Sequence, residues 1–196
     1  MKKGMVMTIS IIAIIAIMIV WVINVYNNMV TAEETVTTEW ANVESQYQRR
    51  SDLIPNLVST VKGYATHEQS TLDAVVSARA KATQMEVSAD DLTEDKIQSF
   101  QKAQGEVSTA LGRLLMVAEN YPDLKANQNF MALQEQLEGT ENRIQVARQT
   151  FNATAKSYNT MIRRFPKNVL AGMFGFEKKA YFEAEEGAEK APAVQF

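Results

Sequence analysis

From Met5 to Ile23 (MVMTISIIAIIAIMIVWVI), nineteen consecutive residues carry no charge. As a helix rising about 1.5 Å per residue, the run is about 28 Å long, close to the hydrocarbon thickness of a bilayer. Trp21 and Tyr26 fall near its C-terminal end, where amphipathic rings settle at the membrane–water interface. Lys2 and Lys3 in front of it resemble the n-region of a signal peptide. The apolar run is longer than a usual h-region, however, and NVYNNMVTAEE after it holds no small-x-small cleavage site. Residues 1–26 are therefore expected to be an uncleaved transmembrane anchor in a single-pass protein. Lys2 and Lys3 precede the span, whereas Glu33, Glu34 and Glu39 follow it. The positive-inside rule then puts the N-terminus in the cytoplasm and the large domain on the extracytoplasmic side.

The remainder is long enough for one domain with a sizeable core. Eight glycines and four prolines in 196 residues point to long elements with few turns. The formal charge is −3 and no strongly basic field exists, which argues against nucleic acid as a partner. Without cysteine there are no disulfides, thiolate metal sites or cysteine nucleophiles.

Residues 27–164 read as helix. Phe130, Leu137, Ile144, Phe151, Tyr158 and Phe165 fall seven residues apart, with Leu133, Thr140, Ala147, Thr154 and Met161 alongside. Two such rows describe a seam packed against partner helices, as in coiled coils. Ile97, Gln104, Leu111 and Ala118 run beside Phe100, Val107, Leu114 and Tyr121. Trp40, Tyr47, Ile54 and Val61 run beside Val43, Arg50, Leu57 and Tyr64. Leu72, Val75, Val76, Arg79 and Ala82 give a shorter stripe.

The breaks are marked. Gly63 is placed to end the first helix, and Thr66 with Gln69 resembles a capping box for the second. Asp91 and Glu94 are placed to start the third helix. Pro122 ends it, holding Tyr121 away from helical angles, and Asp123 sits in the first turn of the fourth. Short connections between long helices favour antiparallel neighbours. The expected architecture is all-α: a transmembrane helix followed by an elongated antiparallel bundle of four long helices. Residues 165–182 begin with the apolar, glycine-containing FPKNVLAGMFGF, and residues 183–196 read as an acidic irregular tail.

Three blocks carry a specific resemblance. RRSDLIPNLVSTVKGYATHE at residues 49–68, YPDLKANQNFMALQEQLEGTENRI at 121–144 and YNTMIRRFPKNVLAGMFGFEKKAYF at 158–182 are similar, in order, to the hallmark blocks of the LemA family. The resemblance implies a bacterial single-pass protein of the cytoplasmic membrane with a long antiparallel helical domain. It implies no catalytic activity that transfers to particular residues.

Arg49 and Arg50 suit an anionic ligand, since guanidinium forks match phosphate and carboxylate. The structural alternative is a polar network. In it Arg49 pairs with Asp52, and Arg50 meets an acidic residue of the last helix such as Glu138 or Glu141, with Asn56, Asn142 and Arg143 nearby. Pro55 removes a backbone donor from a helix whose heptads continue past it, so a kinked continuous helix is expected. His67 is the sole histidine and Thr71 stands where a zinc-protease helix needs a second, so no metal and no cofactor are expected. No nucleophile elbow or phosphate loop appears.

If the helices leave and return in turn at about 1.5 Å per residue, the fourth ends within about 15 Å of the starting plane. Phe165, Val169, Leu170, Met173, Phe174 and Phe176 are then placed to touch lipid or pack on the anchor's exit, or else to cap the bundle or bury against a second copy. The leading expectation is a non-enzymatic, self-associating scaffold in contact with membrane lipid and other membrane proteins. Its rivals are a sensor that binds an anionic ligand near the Arg49–Pro55 kink and a hydrolytic enzyme.

Overall fold

The apolar run and the first heptad rows form one rod. Helix α1 spans Lys2–Lys62, 61 residues without a break, in a computed structural model that describes residues 2–183. At about 1.5 Å per residue it is about 90 Å long. Up to Trp21 its described side chains are exposed, and the segment is long and apolar enough to cross a membrane. Beyond Val25 burial becomes periodic. Met29, Val36, Val43, Arg50 and Leu57 form one buried row, and Trp40, Tyr47, Ile54 and Val61 form the other.

Five further helices follow: α2 (Gln69–Thr83), α3 (Glu94–Ala118), the single turn α4 (Pro122–Lys125), α5 (Gln128–Arg163) and α6 (Lys167–Phe174). No strand occurs among the described residues. The fold is all-α, with four long helices and two short ones. Helix α5 packs along α1, while α2 lies between α1 and α3. The α1–α5 register is constant. Glu33 meets Tyr158, Trp40 meets Phe151, Arg50 meets Glu141 and Tyr64 meets Asn127, so each step up α1 equals the step back along α5. That is the signature of straight antiparallel packing.

The core has two storeys. Far from the span, Ile54, Leu57, Val61, Leu72, Val75, Leu111, Leu114, Phe130 and Leu137 pack between the long helices. Nearer the span, Trp40, Tyr47, Phe100, Phe151 and Tyr158 form an aromatic layer joined by Phe182.

Several breaks differ in detail from the sequence reading. Helix α1 ends at Lys62, and Gly63 does not take a left-handed backbone. Tyr64 therefore leaves the seam and is exposed, its hydroxyl accepting from Asn127. The Thr66–Gln69 capping box does not form; Glu68 stands at the N-cap of α2 and instead accepts from the Tyr121 hydroxyl. Thr93, in extended conformation, precedes α3, while Asp91 bonds Lys96. Tyr121 is non-helical as expected, but Asp123 opens only the one-turn α4. The long α5 is capped by Asn127, whose side chain accepts from the Phe130 amide at 3.0 Å. At the other end α5 stops at Arg163 and Arg164 is extended, so Phe165 leaves its heptad row and is 83% exposed. Residues 184–196 of the expected acidic tail lie outside the described residues.

Candidate functional site

Arg50 occupies a core position of the α1 heptad and is buried. A charge there needs partners, and three elements supply them. Its Nη1 donates to the Ser108 hydroxyl at 2.7 Å and to Glu141 at 2.8 Å. Its Nη2 donates to the backbone and side-chain oxygens of Gln104 at 3.0 and 2.7 Å, and the Tyr47 ring lies against the guanidinium. One side chain of α1 thereby joins α3 to α5, with Glu141 partly open to solvent.

The proline lies one turn further on. Helix α1 continues through Pro55, which has no N–H to offer the carbonyl of Ser51. Arg79 of α2 supplies the missing donor, its Nε reaching the Ser51 oxygen at 2.8 Å. Beside this contact a cavity of about 190 Å³ opens between α1, α2 and α3, lined by Arg50, Ser51, Arg79, Glu44 and Glu86 among others. The Ser51 hydroxyl is buried without a hydrogen-bond partner among the described residues. Burial raises the Glu44 carboxyl above its ordinary pKa, and the charge of Glu86 adds to the shift.

At the base of the bundle, α6 folds against the exit of the span. Leu170 and Ala171 are buried there, and the Tyr26 ring meets Phe174 at 5.0 Å and Phe176 at 5.7 Å, edge to face. Phe165, Val169, Met173 and Phe174 remain exposed beside the span. Gly175, at φ 76°, ends α6 in the left-handed conformation that favours glycine.

From Phe176 the chain runs back up the bundle as an extended strap. Six extended residues cover about 20 Å, close to the rise of the fourteen helical residues from Tyr26 to Trp40. Helix amides hold the strap as a neighbouring strand would. Asn159 donates to the Lys179 carbonyl and accepts from its amide, and Asn152 does the same with Phe182. Gln101 brackets Glu183 likewise. Phe182 stacks on Trp40 and meets Phe151 edge to face. Lys179 is buried and paired with Glu33 at 2.8 Å. Burial, reinforced by the Glu33 charge, holds the neighbouring Tyr158 phenol well above its ordinary pKa.

Against known families, the model described as the LemA family matches residues 39–196. The chain belongs to the LemA family. It is 27% identical over 207 residues to magnetosome protein MamQ 2 of Paramagnetospirillum magneticum, covering 96% of this chain and 75% of that protein. To magnetosome protein MamQ of Magnetospirillum gryphiswaldense it is 28% identical over 188 residues, covering 86% and 68% of the two chains. To protein LemA of Metamycoplasma hominis it is 23% identical over 160 residues, covering 82% and 69%.

Within this LemA-family chain the expected polar residues are not all brought together. Arg50 and Glu141 meet, whereas Glu138 accepts from Gln134. Asp52 accepts from Gln48 at 2.7 Å, and Arg49 is exposed on the outer face. Asn56 is exposed beside Pro55, and Asn142 and Arg143 line a shallow surface with Glu39 and Gln46. Among the described residues, no three His, Asp or Glu side chains converge as metal ligands. Sequence reading missed Gln104 and Ser108 as partners of Arg50, and Arg79 as the partner of Ser51. Gln104 stood in a core row of α3 as a polar residue, and that was the available signal. Asn152 and Asn159, seven apart on α5, were the corresponding signal for the strap.

Proposed function

We propose that this LemA-family protein is a non-enzymatic scaffold. It is anchored once in the bacterial cytoplasmic membrane, holds its bundle on the extracytoplasmic side and self-associates to organise membrane partners and shape the bilayer. The observation that carries this reading is the continuity of α1. One unbroken helix leaves the apolar span and becomes the central rod of the bundle, with α6 packed at the exit. A hinge-free junction transmits orientation, so copies meeting side by side hold their anchors at a fixed spacing. The names of its relatives, magnetosome proteins and LemA, point to bacteria and to no reaction. Crosslinking in native membranes, followed by affinity purification of the intact protein and imaging of the particle, is expected to yield oligomers or a defined complex. A strictly solitary protein overturns the reading.

The 190 Å³ cavity favours a second reading, a sensor for a small anion near Pro55. Arg50 is already saturated by α3 and α5, so Arg79 and the unpartnered Ser51 hydroxyl would carry recognition. A thermal-shift screen of small carboxylates and phosphates tests it, because a ligand of the native state raises stability.

A further inference from the structure

Between residues 142 and 176 the chain has no acidic residue, and its charged side chains there are Arg143, Arg148, Lys156, Arg163, Arg164 and Lys167. The part of α1 just beyond the span is opposite in sign, with Glu33, Glu34, Glu39 and Glu44 before its first basic residue, Arg49. Antiparallel packing returns the basic end of α5 to the base of the bundle. Glu33, the acidic residue of α1 nearest that base, is committed to Lys179. Glu34 and Glu177 also lie near that base, the latter close enough for its charge to act on Tyr158, but neither forms an ion pair with Lys156, Arg163, Arg164 or Lys167 among the described residues.

A groove of about 680 Å³ opens there between the end of the span and the end of α5. Trp21 forms one wall, and Lys156, Thr160, Arg164, Phe165 and Lys167 lie on the other. No acidic side chain is among its lining residues, and Lys156, Arg164 and Lys167 have no ion-pair partner among the described residues. The volume falls within the range of small-molecule sites, about 300–1,000 Å³.

We propose that this groove binds the headgroup phosphate of an anionic phospholipid drawn from the bilayer that α1 spans. The inference rests on the reading of α1 as an anchor. Guanidinium and ammonium groups converge on the depth at which Trp21 marks the membrane–water interface, and a phosphate is the anion found there. A soluble anion would leave the exposed Phe165 ring beside the groove uncovered. A lipid brings glycerol and acyl carbons that lie against it. Each juxtamembrane basic side chain is worth about fivefold in attraction to anionic lipid.

The test uses the full chain in nanodiscs of equimolar phosphatidylglycerol and phosphatidylcholine, with native mass spectrometry of the lipids retained on release. Phosphatidylglycerol is expected to be enriched by roughly tenfold or more on the protein. In the K156Q/R164Q/K167Q variant retention should return to the bilayer ratio while helix content and melting stay unchanged. An equal ratio on the wild-type chain, or enrichment that survives in the variant, overturns the lipid site and leaves the anchor standing. Loss of the enriched lipid to millimolar inorganic phosphate identifies a free-phosphate site and also overturns it. Failure of the chain to enter nanodiscs overturns the site and the anchor together.

Discussion

Arg79 donates its Nε to the carbonyl oxygen of Ser51 at 2.8 Å, where residue 55 would be the donor were it not proline. The defect in one helix is repaired by a side chain of another, and α2 is thereby fixed against α1 beside the proline. Leaving a buried acceptor unmet costs about 1–3 kcal/mol. Arg79→Met is therefore expected to lose about that much in urea melts of the full chain in a mild detergent. Pro55→Ala restores the helical donor and should stabilise the protein. In that background the cost of Arg79→Met should shrink by about 0.5 kcal/mol or more, the coupling typical of residues sharing a partner. Strictly additive effects would mean that the two do not act on the same oxygen.

Arg50 gives a different pattern, since its four hydrogen bonds bind α1 to α3 and α5. Truncating one member of a buried charged network typically costs about 3–5 kcal/mol. Arg50→Ala is expected in that range. Glu141→Gln keeps an acceptor but takes the carboxylate from a buried guanidinium, so it is expected to cost about 1–3 kcal/mol, less than Arg50→Ala because Ser108 and Gln104 still accept from Arg50. Arg50→Met fills the volume without a cavity and should cost less than alanine. The same denaturant melts rank the three.

The rows that were easiest to read were the apolar ones, because a helix repeats its faces every three or four residues and burial follows that repeat. Phe130, Leu137, Ile144, Phe151 and Tyr158 are all buried as their spacing demanded. Phe165 shared the spacing but not the burial, since α5 stops at Arg163 and Arg164 is extended. Helix starts were less legible: Asp123 marked the first turn of a helix that proved to be the one-turn α4, and the long α5 begins at the Asn127 cap instead. The strap itself was not legible, and its one trace was the pair Asn152 and Asn159, a heptad apart on α5. Its bonds run between residues far apart in sequence, and an extended segment held by side chains of other elements has no periodicity of its own. The site residues divide along the same line: Arg50 stood as a charge in a long core row, while Arg79 stood in the short stripe of α2, and nothing in that stripe pointed to the Ser51 carbonyl that Pro55 leaves without a donor.

Glu44 supplies a pH dependence. Burial holds its folded carboxyl above the ordinary value, with Glu86 adding to the shift. The folded state thus binds a proton more readily than the unfolded chain, and this contribution to stability is lost as pH rises through the folded pKa. Glu44→Gln removes the ionised form. The variant should melt higher than wild type at neutral pH, and the difference should close as pH falls below the folded pKa of Glu44. Thermal melts across that range read the effect, and a gap constant with pH would assign it to some other cause.

Phe182 is the strap's anchor in the aromatic layer, stacked on Trp40 at 5.8 Å and set edge to face on Phe151 at 5.5 Å. Removing a buried phenylalanine typically costs about 3–5 kcal/mol when the element that holds it stays in place. The strap is attached by side-chain amides, the Lys179–Glu33 pair and one backbone bond from Ala180 to Leu92 rather than by a helix or sheet of its own, so it is able to leave while the helices remain. Phe182→Ala should therefore release the strap before it unfolds the bundle. Hydrogen exchange is expected to speed up at the Lys179 and Phe182 amides, which donate to Asn159 and Asn152, while α2 and α3 stay protected. Asn152→Ala should do the same more weakly, because Asn159 and Gln101 still hold the segment. Uniform loss of protection through all the long helices would instead make the strap an inseparable part of the core, with Phe182 stabilising Trp40 and Phe151 as much as they stabilise it.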